Sequence, residues 1–299
     1  MTKKTRNKSQ RPRQNDQRKQ RPKRSGRPEP QGRNKPSRRN ADKAPQAKPD
    51  YKQDELIRLN KFIAHAGFCS RRDADELIAA GSVEVNGEVV TELGTKVQRK
   101  DEVAVDGQHL TLEDFVYILL NKPKDTISTT DDERDRTTVM DKVQDATGKR
   151  VYPVGRLDRD TMGLLLLTND GDLANRLMHP SYQVRKTYEV QTERALTDDE
   201  LEQLANGINL QDGMAQGYRI TRAPDDRRTI GLSVFEGRNR LVRRMMEYFG
   251  TEVTKLKRIG YAGLTLKDVN LGRWRYLKQG EVNALRKLVK LQPLDFNKQ

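Results

Sequence analysis

A chain of 299 residues has room for two ordinary domains, yet it is only 33% hydrophobic and 34% charged, so part of it has too little apolar surface to build a core. Its formal net charge is +15, and residues 1–50 alone hold 18 Lys or Arg against four Asp or Glu. The single cysteine, Cys69, excludes an internal disulfide; His65, His109 and His179 lack the spacing of a structural zinc site, and no stretch approaches the roughly 20 apolar residues that span a bilayer.

Residues 1–53 read as a disordered basic tail: up to residue 50 there is no aromatic residue and, Met1 aside, no large aliphatic one. Residues 51–299 carry 40 basic and 39 acidic groups, so nearly all the excess charge lies in the first fifty residues. A flexible polycation gains affinity for any phosphate polymer by releasing condensed counterions, which supplies affinity without choosing a site. With no apolar face or lipidation signal, a nucleic acid is the expected partner rather than a membrane. The basic N-terminus has no apolar segment after it, and the expected location is the cytoplasm.

Pattern begins near Asp54. Leu56, Leu59, Ile63 and Ala66 recur at helical spacing, with Gly67 as a stop signal. In "SRRDADELIAAG", Ser70 can cap a second helix with Asp73 in the reciprocal position, Leu77 and Ile78 face inward, and Gly81 suits a left-handed C-terminal cap. "SVEVNGEVV" alternates apolar and polar residues around Asn86-Gly87, a tight-hairpin dipeptide, and a further strand carries Asp106-Gly107. Residues 54–114 are therefore expected to form a small helix-helix-sheet module. The text "LNKFIAHAGFCSRRDADELIAAGSVEVNG" resembles the S-four-type RNA-binding module of ribosomal proteins. That resemblance implies that Lys61, Arg71 and Arg72 lie over RNA phosphates, with the helix N-terminus at Ser70 offering free N–H groups. The alternative is that both arginines are a solvated first turn, although cations there oppose the helix dipole.

Beyond residue 115, "FVYILLNKP", "GLLLLTND", "KTYEVQT", "RTIGLSVFEG" and "TEVTKLKRIGYAGLTL" read as strands, while "GDLANRLMHP", "LTDDELEQLANG" and "RLVRRMMEYFG" read as helices. The strands are too closely spaced for regular βαβ alternation. The expectation over 115–299 is an α+β domain with a mixed, largely antiparallel sheet and flanking helices.

In "YPVGRLDRDTMGLLLLTND" a Gly-Arg-Leu-Asp turn precedes an apolar strand, which sets Asp158 beside the end of a buried element. Alone, such an aspartate more often caps a turn. Its companions are Tyr188 in a strand and Arg243 near the start of an amphipathic helix. The segments "GRLDRDTMGLLLLTNDGDLANRLMHP", "KTY" and "EGRNRLVRRM" occur in the same order as in bacterial ribosomal RNA pseudouridine synthases of the RsuA/RluB-like branch, which also carry the S-four-type module. The resemblance covers approximately residues 55–290 and is greatest to the large-subunit, RluB-like members.

The resemblance implies the pseudouridine synthase fold and isomerisation of a uridine, in large-subunit 23S RNA or a pre-ribosomal particle, by a monomer. No cofactor or metal is expected: the reaction needs no redox equivalents or ATP, and no phosphate loop or dinucleotide fingerprint is present. It assigns the catalytic carboxylate to Asp158, pairs Asp158 with Arg243, and stacks Tyr188 on the extruded uracil. Arg156, Lys186, Arg238 and Arg240 would hold the splayed RNA backbone. Met162 and Leu241 depart from the family pattern, where a small residue and a glutamine are common, and Leu241 forfeits a hydrogen bond. Four alternatives stay open: a small-subunit 16S enzyme, a non-catalytic ribosome-assembly factor, a DNA-binding protein, and a glycosidase or nucleosidase pairing Asp158 with Asp170 or Asp172.

Overall fold

The computed structural model describes Ala47 and residues 55–296, so the expected disorder of residues 1–53 lies outside the described residues except at Ala47. Ala47 is fully buried, and its carbonyl accepts a hydrogen bond from Phe115 N at 3.0 Å in an isolated antiparallel bridge. At this one position the tail reading is corrected, because composition averaged over fifty residues cannot register one small side chain filling a gap.

The first elements are β1 (Ile57–Arg58), α1 (Leu59–His65), α2 (Arg71–Ala79), β2 (Val83–Val85), β3 (Glu88–Val89), β4 (Lys96–Val97), β5 (Val103–Val105) and β6 (Gln108–His109). The first helix starts later than its periodicity suggests, since Ile57 and Arg58 pair antiparallel with β4 and Leu56 is left exposed. Ser70 and Asp73 form the expected capping box on α2. Asn86 and Gly87 take φ of 53° and 82°, and Asp106 and Gly107 take 48° and 77°, the left-handed pair that closes a two-residue hairpin. The strands order as β3-β2-β5-β6, and Leu59, Ile63, Ile78, Val83 and Val105 form a core of their own under the two helices.

The following elements are β7 (Tyr117–Lys122), α3 (Val139–Val143), β8 (Tyr152–Pro153), β9 (Met162–Thr168), α4 (Gly171–Met178), β10 (Lys186–Thr192), α5 (Asp198–Asn206), β11 (Ile208–Leu210), β12 (Gly213–Ala215), β13 (Tyr218–Arg222), β14 (Thr229–Val234), α6 (Leu241–Tyr248), β15 (Val253–Tyr261), β16 (Leu264–Thr265), β17 (Trp274–Tyr276) and α7 (Gln279–Leu288). Nine strands form one mixed sheet, ordered β13-β14-β10-β15-β9-β7-β17, with β16 on β15 and β8 on β9. Every pairing is antiparallel except β9 with β15.

The four consecutive leucines of β9 are explained by helices on both faces. Leu164 and Leu166 pack with residues of α4 and α7, whereas Leu165 and Leu167 pack with Val139 and Val143 of α3. A strand buried on both sides needs a continuous apolar run. At the other end of the sheet, α5 and α6 cover Val190, Ile230 and Leu232. Where β9 meets β15 the backbones come very close: Gly163 has φ of 108°, and a Cβ there would lie 2.2 Å from Arg258 O, so only glycine fits. No described helix is long and apolar enough to cross a membrane.

Candidate active site

The turn before β9, the ends of β10 and β14, the start of α6 and the middle of β15 surround a cavity of about 520 Å³. Arg156, Asp158, Lys186, Tyr188, Arg238, Arg240 and Arg243 all line it. The structure therefore gathers seven predicted residues from segments that lie far apart in the chain. Lys61, Ser70 and Arg71 line a second cavity of about 450 Å³ between α1, α2 and α4, and Arg72 is exposed on α2.

The turn that presents Asp158 is held from several directions. Leu157 is buried, and its backbone is bracketed by the Ser128 hydroxyl, which donates to Leu157 O at 3.0 Å and accepts from Leu157 N at 3.2 Å. Thr161 N donates to Asp158 O at 3.1 Å and closes the turn. Beneath it, the fully buried Lys122 donates from Nζ to Arg159 O and Pro123 O, both at 3.1 Å. Burial lowers the Lys122 pKa to about 8 against the opposing fields of Asp160, Asp158 and Asp125.

The expected pair of Arg243 with Asp158 is not formed. Arg243 is buried in the first turn of α6 and donates from Nη2 to Asp160 Oδ2 at 2.7 Å and from Nη1 to Val253 O at 3.2 Å. The Asp158 side chain is half-buried and has no hydrogen bond among the described residues. The physical reason is local. Two carboxylates flank Arg159, and the guanidinium, already tied to Val253 O, meets the one two residues further along.

Tyr188 lies half-buried on β10, paired in register with Leu232 of β14 and Arg258 of β15, and a bulge after Thr187 shifts the strand there. Lys186 donates to Val184 O at 3.1 Å and Phe235 O at 2.9 Å; burial, then Arg258, lowers its pKa to about 8 against Glu236. Arg238 is bound to Glu236 and Asp212 and to the carbonyls of Asp212, Gly213 and Met214, so it fastens the rim to the β11–β12 hairpin. Arg240 is exposed with φ of 47°, a left-handed conformation at the N-terminus of α6. Lys61 is ion-paired with Asp172 at 2.8 Å, and the buried Asp170 caps α4 while accepting from Tyr117 Oη and Arg286. Neither aspartate lines the Asp158 cavity, and the other carboxylate among its lining residues, Glu236, is bridged to Arg238. The pairing of Asp158 with Asp170 or Asp172 that a glycosidase reading required is therefore not assembled there. Among the described residues, no group of three or more His, Cys, Asp or Glu could hold a metal ion.

Residues 116–248 match the RNA pseudouridylate synthase family, and residues 57–103 match the S4 domain. The chain is 47% identical over 237 residues to ribosomal large subunit pseudouridine synthase B of Bacillus subtilis, covering 78% of this chain and 97% of that protein. This chain belongs to the RNA pseudouridine synthase family. It is also 38% identical to the dual-specificity RNA pseudouridine synthase RluF of Escherichia coli O157:H7, covering 79% of this chain and 80% of that one. A crystal structure of a pseudouridylate synthase superposes with a TM-score of 0.55 at 29% identity, covering 77% of this chain and 99% of that chain.

Three charged residues in or beside the cavity, Asp160, Lys122 and Arg258, were not singled out by sequence reasoning. Asp160 was overshadowed by Asp158 in the same turn. Lys122 is buried at the end of the apolar run of β7, which was the available signal, whereas Arg258 is buried in the lysine-bearing β15, where one more basic residue does not stand out.

Proposed function

We propose that this pseudouridine synthase isomerises a uridine of large-subunit ribosomal RNA, with Asp158 as its catalytic carboxylate. The carrying observation is a half-buried carboxylate free of side-chain partners, in a cavity that Tyr188 and Arg243 also line. The names of the Bacillus subtilis and Escherichia coli relatives support the RNA substrate, and the former supports the large subunit. We take the protein to act in the cytoplasm as a monomer.

The reaction breaks the bond from ribose C1′ to uracil N1, turns the base, and joins C1′ to C5. An ionised carboxylate serves it either by adding to C1′ or by removing a sugar proton as the base departs. Asp158 is unencumbered for that work, while Arg243 and Lys122 set the turn around it. Extruding the uridine costs on the order of a few kcal/mol, part of which stacking on the Tyr188 ring would offset. Arg156 and Arg240, exposed at the rim, and Lys186 further in supply cations for the splayed backbone. In the S4 domain, Arg71, Arg72 and the Ser70 helix start face the RNA, with Lys61 steadied by Asp172.

Pseudouridine mapping in ribosomal RNA from cells with and without the protein is expected to show one lost site in 23S RNA. A site lost from 16S RNA instead would move the protein to the small-subunit subgroup. Asp158→Asn is expected to bind RNA and form no pseudouridine; a variant that still forms it refutes the assignment.

A further inference from the structure

The cavity contains a buried cation that the reading above does not use. Arg258 lies in the middle of β15, is 3% exposed and lines the same space as Asp158 and Tyr188. Its Nε donates to Leu164 O at 2.8 Å, and its guanidinium carbon lies 4.7 Å from the centre of the Tyr261 ring. These contacts fix the plane of the guanidinium. One terminal nitrogen, Nη2, is buried with no hydrogen-bond partner. Burying a charged donor without a partner is costly, and a ligand in the cavity would complete it.

The position of Arg258 indicates which ligand atom that is. Arg258 is the cross-strand neighbour of Tyr188 in the β10–β15 register. Directly paired residues of adjacent strands project on the same face of a sheet, so a base stacked on the Tyr188 ring would present its edge to the Arg258 side chain. A ring edge carries the two uracil carbonyls, whereas phosphates stay with the backbone at the rim, near Arg156 and Arg240.

We propose that Arg258 is a further catalytic residue, donating from Nη2 to a carbonyl oxygen of the target uracil and stabilising the uracil anion formed when the glycosidic bond breaks. This rests on the Asp158 reading of the cavity. When the C1′–N1 bond breaks, its electron pair stays on uracil and spreads from N1 to O2, O4 and C5. The charged oxygens become stronger acceptors than they were in the nucleoside, so a fixed donor there favours the departing state over the ground state. The same pair, now available at C5, forms the new bond to C1′; C5 then releases its proton and N1 takes one up, which restores a neutral isomer. The donor is needed whether C1′ is captured by Asp158 or relieved by loss of a sugar proton.

The test is single-turnover tritium release from a 23S transcript containing [5-³H]uridine, with RNA affinity measured by filter binding. For Arg258→Ala and Arg258→Lys the rate is expected to fall ~100-fold, the scale of one lost oxyanion donor, with affinity little changed. Added guanidinium ion should restore part of the Arg258→Ala rate, an effect that a merely structural role would not produce. A wild-type rate in either variant, a loss confined to affinity, or no response to guanidinium overturns the proposal. If the variants do not fold, the wild-type enzyme decides on transcripts made with 2-thiouridine or 4-thiouridine. Sulfur eases departure of the base but accepts hydrogen bonds poorly, so one of the two should react more slowly than uridine; no slowing on either overturns the proposal. Activity in Asp158→Asn, or no pseudouridine from the wild type, would instead sink the Asp158 reading.

Discussion

Asp158 and Asp160 stand on either side of Arg159, yet only Asp160 holds the buried guanidinium of Arg243. The Arg243 side chain is 9% exposed and that of Asp160 45%, so water screens the pair from one side. A contact of this kind is worth about 1 kcal/mol, and Asp160→Asn is expected to slow pseudouridine formation about fivefold without abolishing it. A total loss of activity in that variant would transfer the catalytic role to Asp160. That Asp158, Tyr188 and Arg243 gather around one cavity was legible, because they recur in an ordered set of motifs. The partner of Arg243 was not, since choosing between carboxylates two positions apart in a turn requires the path of the chain. A second outcome concerns Lys186. Its pKa near 8, lowered first by burial and then by Arg258, means that it loses its charge as pH rises from 7 to 9. RNA affinity should weaken over that range, and Lys186→Arg, which stays protonated, should flatten the response in filter binding. Stability moves the opposite way. Between about 8 and the ordinary lysine value the unfolded chain binds more protons, so neutralising Lys186 and Lys122 relieves a cost of burial and resistance to urea should increase.

The elements follow simple periodicities where one pattern acts alone. Both hairpins and the α2 cap match their turn and capping residues, and β9 lies where its leucines lie. The start of α1 was not legible, because Leu56 fits the helical spacing and only the pairing of Ile57 and Arg58 with β4 shows that the helix begins later. The contact of β9 with β15 yields the strongest expectation about stability. Gly163→Ala would put a methyl group 2.2 Å from Arg258 O in a backbone conformation that alanine resists. A loss of more than about 3 kcal/mol is expected, read as a fall in the urea midpoint; a near-neutral result would mean that the two strands can separate cheaply. His65 closes α1 and stacks on Phe115 at 5.0 Å, joining the helices of the S4 domain to the residues that lead into β7. Burial, then the fields of Arg99 and Lys61, push its pKa down to about 4 against Asp172. As pH falls from about 6.5 to 4 the unfolded chain takes up a proton that the folded one refuses, so stability should drop in that window. His65→Gln should remove that limb of the urea-midpoint profile.

On the scale of the molecule, charge and topology were legible to different degrees. The uneven distribution of charge needed no structure: residues 1–41 hold 16 Lys or Arg and two acidic residues, while Ala47, beyond them, is seated against Phe115. Deleting residues 1–41 should weaken RNA binding and flatten its dependence on salt, because fewer counterions are released; the single-turnover rate at saturating enzyme should be unchanged. A steep salt dependence surviving the deletion would place the electrostatic grip in the S4 domain and the cavity rim. The mixed sheet was anticipated as a class, but the order β13-β14-β10-β15-β9-β7-β17 was not. That order depends on pairings between distant segments, such as β7 with β17, of which no local pattern carries a trace. The short β17 and the following α7 were missed for the same reason, since both are specified by what they cover.

The one parallel seam of the sheet also imposes a schedule. Gly163 pairs with Arg258, roughly 95 residues downstream, and α6 lies between them in the chain. At a synthesis rate of about 5–20 residues per second, the Asp158 turn leaves the ribosome several seconds before the strand and helix that wall its cavity. A protein built to alter ribosomal RNA is therefore inert toward the particle producing it until β15 has followed β9 out of the ribosome.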